Sequence, residues 1–472
     1  MIGIFFAFRP IFYIFASLKR GEDFVKMAQT DKKDMKNKWI YTAAALMMAV
    51  MPAKAQLTEE ELDRYTNDYG PYESQVEVID QPVVTDNNNY GNNYRNDNDV
   101  RMASSDWAQR VSNGLDRMMQ SELLKTTQLG LLVYDMTDQT VVYRHNDHHR
   151  MRPASTMKLV TSITGLDMLG GNYQFRTYLY YKGQVDDEGV LHGSLFCAGT
   201  MDPTFSADDL TDFANAVRNA GIRRIEGNIV ADKSMKDDIL TGSGWSWDDD
   251  NPKLSALLVD RKDNFAERLF QLLRQRDIVV TGSVTEGRTP QGVTQIAVYR
   301  TSFDTVLQKM MKDSNNLYAE SVFYQIAAGE GKPGTAKKAA NAMKRLVGRL
   351  GLPSERYSFA DGCGLSPYDY VTPELLVRLL RYAAEKPEIY SHLYPVLPIA
   401  GVDGTLKSRM KGTRAEGNVR AKTGTVTGVS SLAGYLTASN GHKIIFAIIN
   451  QGVAKSSDGR VFQNKVCEIL CR

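Results

Sequence analysis

Residues 152–169, RPASTMKLVTSITGLDML, place Ser155 and Lys158 one helical turn apart at the head of an apolar helix. Residues three apart on a helix share a face, so the amine reaches the hydroxyl without distortion. The pair alone is unspecific, because Ser408 and Lys411 repeat the spacing in SRMK. What else the chain carries decides how to read it.

Two further patterns follow in order. KDSNNLYAE holds Ser314, Asn315 and Asn316 at the junction of two helical patterns, and VRAKTGTVTGVSSLAGY holds Lys422, Thr423 and Gly424 at the edge of the strand that begins a terminal hairpin. Singly, each has a plain explanation: Ser155 as a helix-cap serine, Ser314 and Asn316 as an interhelical cap, Lys422 as a solvated edge charge. All three together, at a helix start, an interhelical loop and a strand, are much rarer by chance.

The set SxxK, SxN and KTG resembles that of the penicillin-recognising serine enzymes. PASTMKLVTS, SNNLYAE, DGCGLSPYDYVTPE, LPIAGVDGTLKSRM and VRAKTGTVTGVSSLAGY, with GTMDPTF and GWSWDDD between them, are similar to the signature blocks of the D-alanyl-D-alanine carboxypeptidase/endopeptidase family of class C low-molecular-mass penicillin-binding proteins. The likeness runs from about Trp107 to the end. It implies an α+β, beta-lactamase/transpeptidase-like fold: an antiparallel sheet flanked by helices, a helical lobe and a strand-rich inserted domain. It also implies a serine-type D-Ala-D-Ala carboxypeptidase/DD-endopeptidase that acts on peptidoglycan stem peptides through an acyl-enzyme on Ser155 and is covalently inhibited by beta-lactams. No cofactor or metal is expected.

The chemistry can be argued from the residues. A serine hydroxyl needs a base to take its proton, and the six histidines are not placed like a triad partner. Lys158 serves instead, if burial and a second cation, Lys422, favour its neutral amine. By resemblance, the backbone N–H groups of Ser155 and Thr425 receive the oxyanion, and the helix N-terminus adds to that stabilisation. Ser314 would relay a proton between Lys158 and the departing amine, while Asn316 hydrogen-bonds Lys158 and the substrate amide. Lys422, Thr423 and Thr425, flanking Gly424, would grip the terminal carboxylate while their strand pairs with the substrate backbone.

Two positions stand apart. In DGCGLSP the chain has Cys363 and Pro367 where the family usually reads Gly-Ser-Gly-Leu-Ser-Arg, so the arginine contact to a diamino-acid carboxylate is missing. Asp249 in GWSWDDD matches an acidic position that in relatives meets the side-chain amine of that diamino acid; a loop carboxylate among three is the plain alternative.

Bulk properties agree with a secreted enzyme. With 472 residues, 43% of them hydrophobic, and a net charge of +2, the chain has core enough for one large or two to three ordinary domains and no basic footprint for nucleic acid. The four cysteines are too scattered for a disulfide scaffold or a zinc site, and Cys467 and Cys471 are poorly spaced for a mutual disulfide. MKNKWIYTAAALMMAVMPAKAQ, from Met35, has the anatomy of a cleaved export signal and predicts a periplasmic protein beginning near Gln56. Before it, IGIFFAFRPIFYIFASL is split by Arg9 and Pro10, which leaves a loose membrane association as the alternative to an over-extended start.

The expected organisation is a signal and over-extended N-terminus (1–55), a disordered Asn/Asp-rich linker (56–105), a penicillin-recognising serine peptidase domain (106–170 and 300–472) and an inserted strand-rich domain (171–299) with a single helix pattern at ADDLTDFANAVRNAG. Two rival functions remain at this stage. One is a beta-lactamase on the same fold, disfavoured because no loop glutamate for water activation is evident; the other is a cell-wall binding protein that has lost catalysis, disfavoured by the intact Ser155, Lys158, Ser314 and Lys422.

Overall fold

The computed structural model describes residues 102–103, 105–246 and 251–472. The expected signal, and the Asn/Asp-rich stretch as far as Arg101, lie outside the described residues.

The chain opens with helix α1 (Asp106–Met118), capped by the Ser105 side chain accepting the Ala108 N–H. Strands β1 (Gln128–Asp135) and β2 (Thr140–His145) form a hairpin whose turn is folded by Asp135 accepting the amides of Thr137 and Asp138. Helix α2 (Met157–Leu169) follows the Ser155 corner and is buried from Met157 to Leu166 on every side. A helix apolar all round belongs to an interior, and this one drives into the centre of the helical lobe.

Next come β3 (Gln174–Val185), β4 (Val190–Gly199), α3 (Ala207–Asn219), β5 (Arg224–Ile225), β6 (Ile229–Asp232), α4 (Phe265–Gln275), β7 (Val279–Val280), β8 (Val284–Glu286) and β9 (Thr294–Ser302). The helical stretch α5 (Phe303–Lys312), α6 (Asn316–Gly329), α7 (Ala336–Arg349), α8 (Pro373–Ala384) and α9 (Pro387–Val396) leads to β10 (Arg420–Val426), β11 (Gly428–Thr437), β12 (Lys443–Val453) and the closing helix α10 (Ser456–Leu470).

Strands from both ends of the sequence build one antiparallel sheet in the order β10-β11-β12-β1-β2. The uninterrupted apolar run of β12 is explained by cover on both faces. Ile445, Ala447 and Ile449 pack with Leu159, Val322 and Leu379 of the helical lobe. Ile444, Phe446 and Ile448 pack with Trp107 and Leu115 of α1 and Phe462 and Val466 of α10. Each isoleucine or phenylalanine among them contributes about 1.5–3 kcal/mol by leaving water, so the sheet is the rigid plate of the molecule. Its β10 edge is left for the site.

The segment between α2 and α5 forms a second sheet, ordered β7-β5-β4-β3-β9, with β6 beside β4 and β8 beside β6. Here the sequence reading needs correction, because it recognised one helix and the structure has two, α3 and α4. Phe265, Leu269 and Leu273 repeat every fourth residue and form the buried stripe of α4. The second helix has a topological reason. β4 pairs in parallel with β5 and β6, which pair in parallel with β7 and β8, and parallel neighbours require long crossovers. Helices α3 and α4 supply them.

All four cysteines are free and buried. Among the described residues no helix is long and apolar enough to cross a membrane.

Candidate active site

The Ser155 corner is a sharp backbone reversal. Ala154 adopts φ +47, a conformation that non-glycine residues rarely take, and a short turn over Ala154–Thr156 then feeds α2. Neighbours hold it in place: Ser431 Oγ of β11 donates to the Pro153 carbonyl at 2.6 Å, and the Arg152 amide donates to Gln451 Oε1 at 3.1 Å. A strained corner pinned from two strands presents its hydroxyl in one direction.

Lys158 lies on the same face one turn later and is fully buried. Its Nζ donates to Ser155 Oγ at 3.0 Å, Asn316 Oδ1 at 2.8 Å and the Cys363 carbonyl at 2.9 Å. Lys422 on β10 is also fully buried, and its Nζ donates to Ser314 Oγ at 2.8 Å and the Thr423 carbonyl at 2.8 Å. Ser314, the second residue of the three-residue link between α5 and α6, has φ +58, and Asn315 beside it caps α6 by accepting the Tyr318 N–H. The structure thus brings Ser155, Lys158, Ser314, Asn316 and Lys422 into one cluster from three separate regions of the chain. Within it Ser314 meets Lys422, whereas the sequence reading set it beside Lys158.

Burial pushes both amines below the usual lysine range. For Lys422 the charge of Lys158 acts in the same direction. For Lys158 burial is opposed by acidic neighbours: Cys363, Asp361, Glu320 and Asp369 all favour its charged form. Burial also raises the Glu320 carboxyl to about 8, with Asp361 adding to the effect.

Behind Lys158 lies a buried acidic layer that sequence reasoning did not single out. Asp361 accepts N–H groups from Cys363, Gly364 and Ser366 at 3.0, 2.6 and 2.8 Å, and the Trp245 indole N–H at 2.8 Å. Glu320 accepts the Gly362 amide at 2.8 Å. The ligand atoms of Glu320, Asp361 and Cys363 lie within 4.8 Å of one another. Both Asp361 oxygens are already occupied by N–H donors, so this layer orders backbone rather than forming a cradle for a metal. The Cys363 carbonyl was invisible to motif reading because a backbone oxygen has no side-chain signature; DGCGLSP marked the segment without revealing which atom mattered.

The KTG strand passes directly over Ser155. A Cβ on Gly424 would sit 2.2 Å from Ser431 Oγ, 2.8 Å from the Pro153 carbonyl and 2.9 Å from the Ser155 nitrogen, so only glycine fits there. The Ala421 amide donates away from β11 to the Pro398 carbonyl. By the two-residue period of a strand, the amides of Thr423 and Thr425 face the same free edge, and Thr425 is exposed. Thr423 Oγ1 donates to Thr405 Oγ1 at 2.8 Å, a partner from LPIAGVDGTLKSRM to which the sequence reading gave no role.

Opposite this edge, Asn315, Asn316 and Leu317 share a cleft with Asn251, Lys253, Arg261 and Lys262 of the inserted region. Asp249 lies outside the described residues. Pro367 stands against Gly244, whose added Cβ would come 3.0 Å from the proline ring. The described histidine contacts lie elsewhere, for example His148 on Glu374, His392 on Asp304 and His442 on Asp135.

A model of the D-Ala-D-Ala carboxypeptidase 3 (S13) family matches residues 111–260 and 250–472. The D-alanyl-D-alanine carboxypeptidase of an Actinomadura species is 27% identical over 436 residues, covering 72% of this chain and 80% of that protein. The crystal structure of penicillin binding protein 4 (dacB) from Haemophilus influenzae matches with a TM-score of 0.68 and 24% identity, covering 75% of this chain and 97% of that one. The same Haemophilus protein complexed with a beta-lactam matches with a TM-score of 0.62 and 24% identity, over 76% and 98% of the two chains. At those identities the two structures bear on the fold alone.

Proposed function

The chain belongs to the D-Ala-D-Ala carboxypeptidase 3 (S13) family, and on that premise we propose that it is a serine-type D-Ala-D-Ala carboxypeptidase/endopeptidase acting on peptidoglycan stem peptides. The observation that carries this reading is the Lys158 amine, buried and 3.0 Å from the Ser155 hydroxyl.

Neutral Lys158 takes the Ser155 proton as Oγ attacks the carbonyl carbon of the penultimate D-Ala. The resulting oxyanion is received by the Ser155 and Thr425 amides, the second of which faces the free edge of β10. Lys158 returns the proton it took from Ser155 to the departing amine through the Ser314 hydroxyl, which Lys422 orients, and Asn316 keeps Lys158 aimed at the Ser155 hydroxyl. Thr423, Gly424, Thr425 and the N–H donors of the Lys422 amine hold the terminal carboxylate, while the strand edge pairs with the peptide backbone. Water then hydrolyses the acyl-enzyme. Asp249 is assigned to the amine of the stem peptide's diamino acid. A beta-lactam presents the same carbonyl and carboxylate, acylates Ser155 and remains there. The export signal read from Met35 supports a periplasmic enzyme, and the apolar run before it supports a loose membrane association as the alternative.

The test is labelling with a fluorescent penicillin, wild type against Ser155→Ala. A lasting adduct that requires Ser155 supports the peptidase. An adduct that vanishes as the drug is consumed would make the protein a beta-lactamase, and no adduct in the wild type would leave only a binding protein.

A further inference from the structure

The inserted region reaches the Ser155–Lys158 cluster through residues 240–246. The Leu254 amide donates to the Leu240 carbonyl at 2.9 Å and anchors the start of this segment. Two ties fasten it to the turn 361–366. Trp245 Nε1 donates to Asp361 Oδ2 at 2.8 Å, and Ser366 Oγ donates to the Ser243 carbonyl at 2.7 Å. The indole ring packs against the main core cluster, and Gly242 accommodates it, since an added Cβ would lie 2.3 Å from the ring.

Asp361 passes this attachment inward. Its Oδ1 accepts the Cys363 and Gly364 amides at 3.0 and 2.6 Å, which fixes the orientation of the peptide units around Cys363. The Cys363 carbonyl in turn accepts from Lys158 Nζ at 2.9 Å, and the same amine holds Ser155 Oγ. A continuous path of four hydrogen bonds therefore runs from Trp245 through Asp361, the Cys363–Gly364 peptide unit and Lys158 to Ser155. Asp361 and Cys363 are buried, so no water competes for the inner steps.

We propose that Trp245 is a positioning residue for acylation: its indole N–H, by orienting Asp361, sets the Cys363 carbonyl that aims the Lys158 amine at Ser155. The seating of an insertion loop on the 361–366 turn is thereby coupled to the aim of the general base. An aligned base acts on the chemical step rather than on ground-state binding, so the two are separable in kinetics. The inference rests on the assignment of Ser155 and Lys158 as nucleophile and base.

The test is Trp245→Phe, which keeps an aromatic ring in the apolar contact and deletes only the donor. At saturating fluorescent penicillin the acylation rate constant is expected to fall about tenfold, in line with the loss of one hydrogen bond to a charged group. The noncovalent dissociation constant measured in the same titration should stay within about twofold, and the unfolding midpoint close to wild type. Ser366→Ala opens the other tie while leaving the Trp245 contact, and is expected to slow acylation less than Trp245→Phe does. Wild-type acylation by Trp245→Phe, or a loss that appears only as weaker binding or lower stability, would overturn the proposal. A wild-type protein that fails to label at all would instead overturn the functional assignment beneath it.

Discussion

Lys422 Nζ lies 2.8 Å from Ser314 Oγ, although 108 residues separate the two along the chain. Lys158 holds the other hydroxyl, that of Ser155, so two buried amines each hold one serine. Two ammonium ions in one buried cluster repel each other, and that repulsion favours keeping at least one amine neutral.

Lys158→Met removes the amine while retaining most of the stem volume. Acylation of Ser155 by fluorescent penicillin is expected to slow by about 10³-fold, within the range of a lost general base, with the circular dichroism spectrum unchanged. An unaltered labelling rate would show that another group takes the Ser155 proton.

Ser314→Ala leaves Lys422 with the Thr423 carbonyl but without its serine partner. Turnover of a D-Ala-D-Ala peptide is expected to fall by about 10²-fold, while slow labelling of Ser155 persists. Turnover at the wild-type rate would remove Ser314 from the proton route.

Gly424→Ala would force a methyl group against Ser431 Oγ, the Pro153 carbonyl and the Ser155 nitrogen. Two of those are backbone atoms of the nucleophile corner and cannot rotate away. Overpacking of this kind costs about 1–3 kcal/mol, and moving β10 away from Ser155 should abolish measurable acylation. A chemical-denaturation curve and a labelling assay on the same preparation check both parts.

Glu320→Gln tests the acidic layer through its pH dependence. Burial raises the Glu320 carboxyl from 4.5 to about 8, so between those values the folded protein binds the proton that the unfolded chain has released. Stability contributed by this group is fully present below pH 4.5 and lost as pH rises through 8. Gln copies the protonated form and retains an acceptor for the Gly362 amide. The two proteins should therefore have similar denaturation midpoints near pH 4.5, with the variant gaining on the wild type between pH 4.5 and about 8 and the difference levelling off above that. Parallel midpoints across that range would contradict the raised carboxyl.

Much of the fold was legible because local pattern and tertiary environment agree. The apolar run of β12 and the wholly apolar face of α2 announce elements covered on both sides, and they are the plate and the axis of the catalytic region. Helix α4 escaped notice although Phe265, Leu269 and Leu273 carry its period, because short strand signals surround it. Its necessity became evident only with the parallel pairing of β5 with β7 and β6 with β8.

The sequence by itself determined which chemistry is available: a serine and a lysine one turn apart, a second serine with an asparagine at a helix junction, and a lysine two residues before a glycine within one strand. Side-chain type and spacing within a single element are local properties, and they are written in the order of residues. Only the tertiary structure decided which amine holds which hydroxyl, and that the Cys363 carbonyl and Trp245 stand behind the base. Those contacts join distant segments, often through backbone atoms common to every residue, so they exist only once packing has excluded water and set the angles between elements.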